Sequence, residues 1–141
     1  LLRRLCLKLL LDTNVLVYDT VEDSEHHGEA TEIIDRAKEI YIPSIVVHEF
    51  IWVMLRLIQT PINFTLLKVR EYLEDPRTRY ILEPEKVLIE ALKMLEEDKE
   101  NVKEINDYII LSTAIYYSLA LATFDKKLKK RATERGIEVL P

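Results

Sequence analysis

Glycine is nearly missing from this sequence and proline is sparse, since the 141 residues include two glycines and five prolines. So few turn-forming residues exclude a turn-rich all-β fold and predict short connections and a high helix content. Cysteine occurs once, so Cys6 has no partner for an internal disulfide; we expect a reducing compartment, with Cys6 buried as a small hydrophobic residue. No long hydrophobic run is present either, because charges and then Asp12 interrupt the apolar N-terminal stretch LLRRLCLKLLL. We therefore expect no membrane span and no secretory signal, and a cytoplasmic protein.

What the sequence does contain is typical of an ordinary globular protein, with 48% hydrophobic and 32% charged residues. This length and composition predict a single domain over residues 1–141. The net charge of −5 argues against a nucleic-acid partner, but the charge is unevenly distributed. Residues 19–39 hold eight acids and two bases, whereas residues 124–136 hold six bases and two acids. An acidic protein of this kind can still present one basic surface.

Short apolar runs alternate with longer segments of helical periodicity along the chain. Predicted strands are Leu7–Leu11, Ile40–Ile42, Arg79–Leu82, Leu119–Phe124 and Ile137–Val139. Predicted helices begin at Val15, Ser24, Ile45 (with Ser44 as N-cap), Ile62, Glu83, Asp107 and Lys126. This alternation predicts an α/β fold of three layers, in which a mostly parallel sheet of about four to five strands has helices on both faces.

Two aspartates follow predicted strands in otherwise apolar surroundings. Asp12 ends the first strand in LLLDTNVLV, and Asp125 ends the fourth in LALATFD. The carboxyl ends of parallel strands lie at one edge of a sheet, where α/β proteins bind ligands. The two aspartates are therefore expected to converge if their strands are neighbours.

Two further acids fall on apolar helix faces. Glu49 shares a face with Ile45, Val46 and Val53, and Asp107 lies on the stripe of its own helix that faces the core. Each acid also has an ordinary structural interpretation. Asp12 and Asp107 could be helix N-caps, Glu49 could bond Arg56, and Asp125 could be an exposed turn residue. Taken together, these interpretations leave four inward carboxylates with no matching inward cations.

Several carboxylates packed together repel one another unless a cation neutralises them, and oxygen ligands favour Mg²⁺ or Mn²⁺. A zinc site is not indicated, because the sequence has no cysteine pair or histidine cluster. His26 and His27 are expected in an exposed acidic loop, and His48 is expected to face outward or to pack.

The segments LLLDTNVLV, PSIVVHEF, NDYIILSTAI and LATFDKKL resemble, in order and spacing, the motifs of PIN-domain ribonucleases. Prokaryotic VapC-type toxins are the most similar members, and the likeness extends over nearly the whole chain. The resemblance implies an acidic metal site of Asp12, Glu49, Asp107 and Asp125, supported by Thr13, Asn14 and Thr123. Lys127 departs from the pattern, because many toxin members carry a further acid there. This leaves open whether one or two ions bind.

The resemblance implies metal-assisted hydrolysis of RNA, by Mg²⁺ or Mn²⁺, and a toxin inhibited by a small antitoxin protein. The basic run after Asp125, above all Lys126 and Lys127, is either an RNA-contacting surface or only a solvated helix face. The helix over residues 45–58 is apolar nearly all round, so it is either buried in the monomer, which the sequence alone favours, or shared with a second copy. The resemblance implies a homodimer.

Several alternatives remain open from the sequence. The protein could be a processing nuclease outside a toxin-antitoxin pair, or a scaffold that binds RNA or protein without cutting. Phosphoaspartyl-transferring proteins fit less well. The haloacid-dehalogenase-like pattern requires an acid where Asn14 stands, and a response-regulator receiver requires an acid pair where the chain reads Leu11-Asp12.

Overall fold

Five strands form one sheet in the computed structural model of the protein, which describes residues 8–141. The strands are β1 (Lys8–Leu11), β2 (Glu39–Pro43), β3 (Thr78–Ile81), β4 (Ala120–Ala122) and β5 (Val139–Leu140). All neighbouring strands are parallel, in the order β3-β2-β1-β4-β5. The predicted parallel α/β fold is therefore confirmed. The predictions for Cys6 and for Leu7 lie outside the described residues.

Helices occupy the connections between the strands. They are α1 (Thr13–Thr20), α2 (His27–Arg36), α3 (Ser44–Trp52), α4 (Ile62–Glu74), α5 (Glu85–Asp98), α6 (Ile105–Tyr117) and α7 (Lys126–Glu134). A π-helical turn, Val53–Ile58, continues α3, and a 3₁₀ turn, Val102–Glu104, precedes α6. No helix within residues 8–141 is both long and apolar enough to cross a membrane.

The core lies on both faces of the central strand. Leu9, Leu10 and Leu11 are all buried although successive strand residues point to opposite faces. Both faces of β1 must therefore be covered, which explains why its sequence is apolar without alternation.

Five of the seven helix starts differ from their predictions by one to three residues, since α1, α2, α3, α5 and α6 begin at Thr13, His27, Ser44, Glu85 and Ile105. Ser44 is not the N-cap of α3, because it is already the first helical residue, and its hydroxyl donates to Glu83 Oε1 at 2.5 Å. Glu83, at the end of β3, also accepts from the backbone N–H of Ile45 at 3.0 Å. The Glu83 carboxylate, which follows β3, thus accepts from hydrogen-bond donors at the start of α3, a contact that the local sequence does not reveal. The helix predicted to open at Asp107 instead begins at Ile105.

Candidate active site

Asp12 lies where β1 meets α1 and is almost completely buried. Its Oδ1 accepts from the N–H of Thr13 at 2.7 Å, which makes Asp12 the N-cap of α1. Its Oδ2 accepts from Thr123 Oγ1 at 2.7 Å and from Asn14 Nδ2 at 3.2 Å. Residues that follow β1 and a residue that follows β4 therefore hold the Asp12 carboxylate in one orientation.

Asp125 lies at the same sheet edge, because β4 pairs directly with β1. Its Oδ1 accepts from the N–H groups of Lys127 at 2.8 Å and Leu128 at 3.1 Å, so Asp125 caps α7. Its own N–H donates to Thr123 Oγ1 at 3.0 Å. The predicted convergence of the two strand-end aspartates is thus observed, and Thr123 lies between them.

Thr123 is fully buried, and its hydroxyl serves both aspartates. A Thr123→Val substitution keeps the volume but leaves an acceptor on Asp12 and the N–H of Asp125 without this partner. We expect a loss of about 1–3 kcal/mol in the free energy of unfolding, measured by urea denaturation. Thr123→Ser is the matched control, because it keeps the hydroxyl and loses only a methyl group. Equal losses in the two variants would show that the hydroxyl contributes nothing.

Glu49 lies on α3 and is tied to two other parts of the site. Its Oε1 accepts from Thr13 Oγ1 at 2.7 Å, and its Oε2 accepts from Asn106 Nδ2 at 3.0 Å. These bonds, rather than one from Arg56, hold the side chain. Asn106 was not identified from the sequence, although it directly precedes Asp107 and could have been suspected from that position.

Asp107 lies in the first turn of α6, and one guanidinium faces it. Arg131 Nη1 lies 3.9 Å from Asp107 Oδ2, and Arg131 Nη2 lies 2.8 Å from Glu100 and 3.5 Å from Glu104. The inference that the inward acids have no inward cation is therefore wrong for Asp107. The spacing of Arg131 from Leu128 places both on the inner face of α7, and this signal could have been read from the sequence.

Burial and crowding raise the pKa of two of the carboxyl groups. The pKa of Asp12 is raised to about 6, chiefly by burial and further by the charges of Glu49 and Asp125, against the lowering effect of its hydrogen bonds. The pKa of Asp107 is raised to about 7, again chiefly by burial and then by Asp12, Asp125 and other acids. The four predicted carboxylates thus act on one another electrostatically.

Within residues 8–141, no three His, Cys, Asp or Glu side chains form a group that could hold a metal ion as they stand. Mg²⁺ is usually bound by one or two carboxylates with several waters, not by a closed cage of side chains. The oxygen donors and the shared negative charge around Asp12 fit an ion held in that way.

The basic run after Asp125 divides into two groups. Lys126 and Lys127 are exposed, and Lys127 Nζ lies 3.3 Å from Glu104 Oε1. Arg131 is instead buried against acids and lies over the Tyr108 ring, 4.9 Å from its centroid. Arg131 is therefore neither a solvated residue nor available to RNA phosphates, whereas the two lysines remain candidates for contact with RNA.

The histidines outside this site differ in their exposure to solvent. His48 is exposed, as expected. His26 and His27 are not in a fully exposed loop, because both are half-buried next to α1. The ring of His26 stacks on Phe124, and His27 Nδ1 lies 2.9 Å from the carbonyl of Tyr18.

Comparison with known proteins identifies a family whose model matches this chain. The model of the PIN domain matches residues 9–134. No curated protein sequence matches this chain closely enough to count as a relative.

Solved structures match nearly the whole chain in fold. VapC20 of Mycobacterium tuberculosis, a toxin that cleaves the sarcin-ricin loop, has a TM-score of 0.77 at 15% identity, covering 94% of this chain and 99% of that one. VapBC-1 of nontypeable Haemophilus influenzae has a TM-score of 0.68 at 16% identity, covering 94% and 96%. VapBC2 of Rickettsia felis, bound to a promoter DNA fragment, has a TM-score of 0.65 at 23% identity, covering 94% and 96%.

Proposed function

This chain belongs to the PIN domain family, and we propose that it is a metal-dependent endoribonuclease that hydrolyses RNA phosphodiester bonds at Asp12, Glu49, Asp107 and Asp125. The observation that carries the proposal is the hydrogen bonding that brings acids of three segments to one sheet edge. Thr123 Oγ1 donates to Asp12 Oδ2 at 2.7 Å and accepts from the N–H of Asp125 at 3.0 Å, and Thr13 Oγ1 donates to Glu49 Oε1 at 2.7 Å. The pKa values of Asp12 and Asp107 are raised there, first by burial and then by the charges of neighbouring acids. Such crowding costs stability and is relieved by a bound cation. A scaffold without catalytic function has no use for it.

Asp12, Asp107 and Asp125 are the proposed ligands, direct or through water, of one or two Mg²⁺ or Mn²⁺ ions, and Glu49 is a ligand or orients a water. When bound, such an ion would lower the pKa of a coordinated water, so that hydroxide, the nucleophile, would form more readily at neutral pH. The ion would also neutralise charge on the phosphate. Other side chains of the protein orient the proposed ligands. Thr13 and Asn106 hold both oxygens of Glu49, while Thr123 and Asn14 hold Oδ2 of Asp12.

The test is cleavage of a single-stranded RNA by purified protein with Mn²⁺, compared with the same reaction in EDTA. Internal cuts that require the ion support the proposal. Intact RNA under both conditions, with metal-free and metal-loaded protein behaving alike, favours the alternative of a scaffold that binds without cutting.

Lys126 and Lys127 are proposed to attract the RNA phosphates, because the site itself is acidic and both lysines follow Asp125 directly. The pair between Lys127 and Glu104 is exposed and weak, so it can give way to a phosphate. We expect the double substitution Lys126→Ala, Lys127→Ala to weaken RNA binding and to reduce the slope of log K against log salt by about 0.7 per lost contact. The measurement is fluorescence anisotropy at several salt concentrations, and an unchanged slope would exclude contact with phosphate.

A homodimer is proposed through the outer face of α3 and its π-helical continuation. Phe50 and Met54 are buried, but Trp52, Leu57 and Ile58 are exposed, so this helix has one face in the core and one apolar face outside it. Exposed apolar residues of α4 enlarge the same surface, namely Ile62, Phe64, Leu66 and Leu67. Monomers rarely expose a contiguous apolar patch of this kind.

Light scattering at micromolar concentration is expected to give a dimer mass for the wild type and a monomer mass for Leu57→Glu. Leu88→Glu, at an exposed apolar position on α5, is the matched control and should leave the dimer intact. A monomeric wild type, or a dimer broken by Leu88→Glu alone, would contradict the proposed interface.

A small antitoxin is the proposed protein partner, and the support is the fold shared with VapBC complexes. A gene for a small DNA-binding protein directly upstream is the expected observation for a toxin. Its absence would favour a processing nuclease that uses the same site.

A further inference from the structure

Three aromatic rings form a cluster beside the acidic site. The rings of His26 and Phe124 are stacked, with centroids 4.6 Å apart and planes 14° from parallel. Tyr18 meets both rings edge-on, at 5.1 Å from His26 and 5.2 Å from Phe124. We refer to Tyr18, His26 and Phe124 as the aromatic cluster.

The aromatic cluster is joined to the acidic site without a flexible connection. Phe124 stands between Thr123 and Asp125 in the chain, and its N–H donates to Asn14 Oδ1 at 3.1 Å. Tyr18 follows Asn14 by one turn on the same face of α1. Phe124 is therefore held by Asn14, which also orients Asp12, and Tyr18 lies one turn further along the helix that Asn14 belongs to.

His26 is carried by the connection between α1 and α2, which is fastened to α1. Ser24 Oγ donates to the carbonyl of Tyr18 at 3.0 Å, and His27 Nδ1 lies 2.9 Å from that same carbonyl. About a third of the His26 side chain, 32%, is exposed. The face toward Phe124 is covered, Tyr18 meets one edge, and Nδ1 lies 3.2 Å from Glu29 Oε1, so the exposed part of the ring is on the side away from Phe124.

A cation accompanies these rings. Lys129 Nζ lies 6.0 Å from the centroid of the Phe124 ring, and Lys129 follows Asp125 by one turn of α7. An aromatic face with a neighbouring lysine is the combination by which proteins bind single-stranded nucleic acid, since rings stack on bases and cations contact the backbone.

We propose that the open face of His26 stacks on an unpaired base of single-stranded RNA adjacent to the nucleotide that is cut. This subsite rests on the proposed ribonuclease function and adds a base-stacking position to it. Stacking on a ring tolerates every base, because each base has an aromatic face. The subsite therefore requires an unpaired nucleotide and does not select its identity.

The test is binding of a fluorescein-labelled single-stranded RNA of about 12 nucleotides to protein carrying Asp12→Asn, so that the RNA is not cut during the measurement. Adding His26→Ala is expected to weaken binding at least about fivefold, as loss of a base–aromatic stack does. Adding His26→Phe is expected to retain binding, because the ring is kept. His48→Ala is the matched control, an exposed histidine on α3, and should leave binding unchanged.

Scanning the RNA with 2-aminopurine then locates the stacked base. One position is expected to lose fluorescence in protein with His26 and to regain it with His26→Ala. Equal affinity of the His26→Ala and parent proteins, or a loss with His26→Phe as large as with His26→Ala, would overturn the stacking subsite even if the enzyme cleaves RNA. Conversely, a His26-dependent affinity in a protein that never cleaves RNA would retain the subsite and overturn the nuclease.

Discussion

An Asp12→Asn variant is expected to lose at least about a hundredfold in the rate of metal-dependent RNA cleavage. Removing groups that only orient a metal ligand costs about 10- to 100-fold, so removing the most buried carboxylate of the site costs more. The substitution changes the side chain by one atom and removes the negative charge. Initial rates of cleavage of a labelled single-stranded RNA in Mn²⁺ provide the measurement.

Asp35→Asn is the matched control for this variant, because Asp35 is an exposed aspartate on α2, outside the site. It should cleave RNA at the wild-type rate. Isothermal titration with Mn²⁺ provides a second readout, and weaker binding is expected for Asp12→Asn alone. If both variants cleave as the wild type does, the four carboxylates are not the catalytic centre.

The metal-free protein is expected to lose stability as the pH rises from about 4 to about 7, by an amount on the order of a few kcal/mol. The pKa values of Asp12 and Asp107 are raised from an ordinary 3.8 to about 6 and about 7. Between the ordinary and the raised values, the folded protein holds protons that the unfolded chain releases. The stabilisation that protonation gives is thus present at low pH and is lost as the pH rises through about 6 and 7.

Urea denaturation in EDTA at several pH values measures this loss, and Mg²⁺ added at about pH 8 is expected to restore stability, since it binds only the folded site. In Asp12→Asn one of the two titrating groups is gone, so the dependence on pH should be shallower. An unfolding free energy that rises over this range would mean that the pKa values of Asp12 and Asp107 are not raised in the folded protein.

The sequence predicted the α/β fold well because its strongest signals are local. The continuous apolar run of β1 indicates a strand covered on both faces, and Asp12 and Asp125 follow strands whose pairing then brings them together. Element ends were less accurate. The strand predicted over residues 119–124 spans only Ala120–Ala122, and the hydroxyl of Thr123, the next residue, bonds both aspartates.

What the sequence did not reveal depends on contacts between distant segments. Glu83 satisfies the start of α3 from 38 residues away, and Asn106 holds Glu49 across 57 residues. Arg131 belongs to a basic run that is typical of a solvated helix face, yet it is buried and faces Asp107, which lies on another helix. Only the three-dimensional structure pairs these side chains.

The strand order has a consequence for synthesis of the protein. In chain order, β2 and β3 are added on one side of β1, and β4 is then added on the other side of β1. Asp12 and Glu49 leave the ribosome before Thr123 and Asp125 do. Because domains made of distant pairings close late, the acidic site is incomplete until the segment that carries Thr123 and Asp125 has been made.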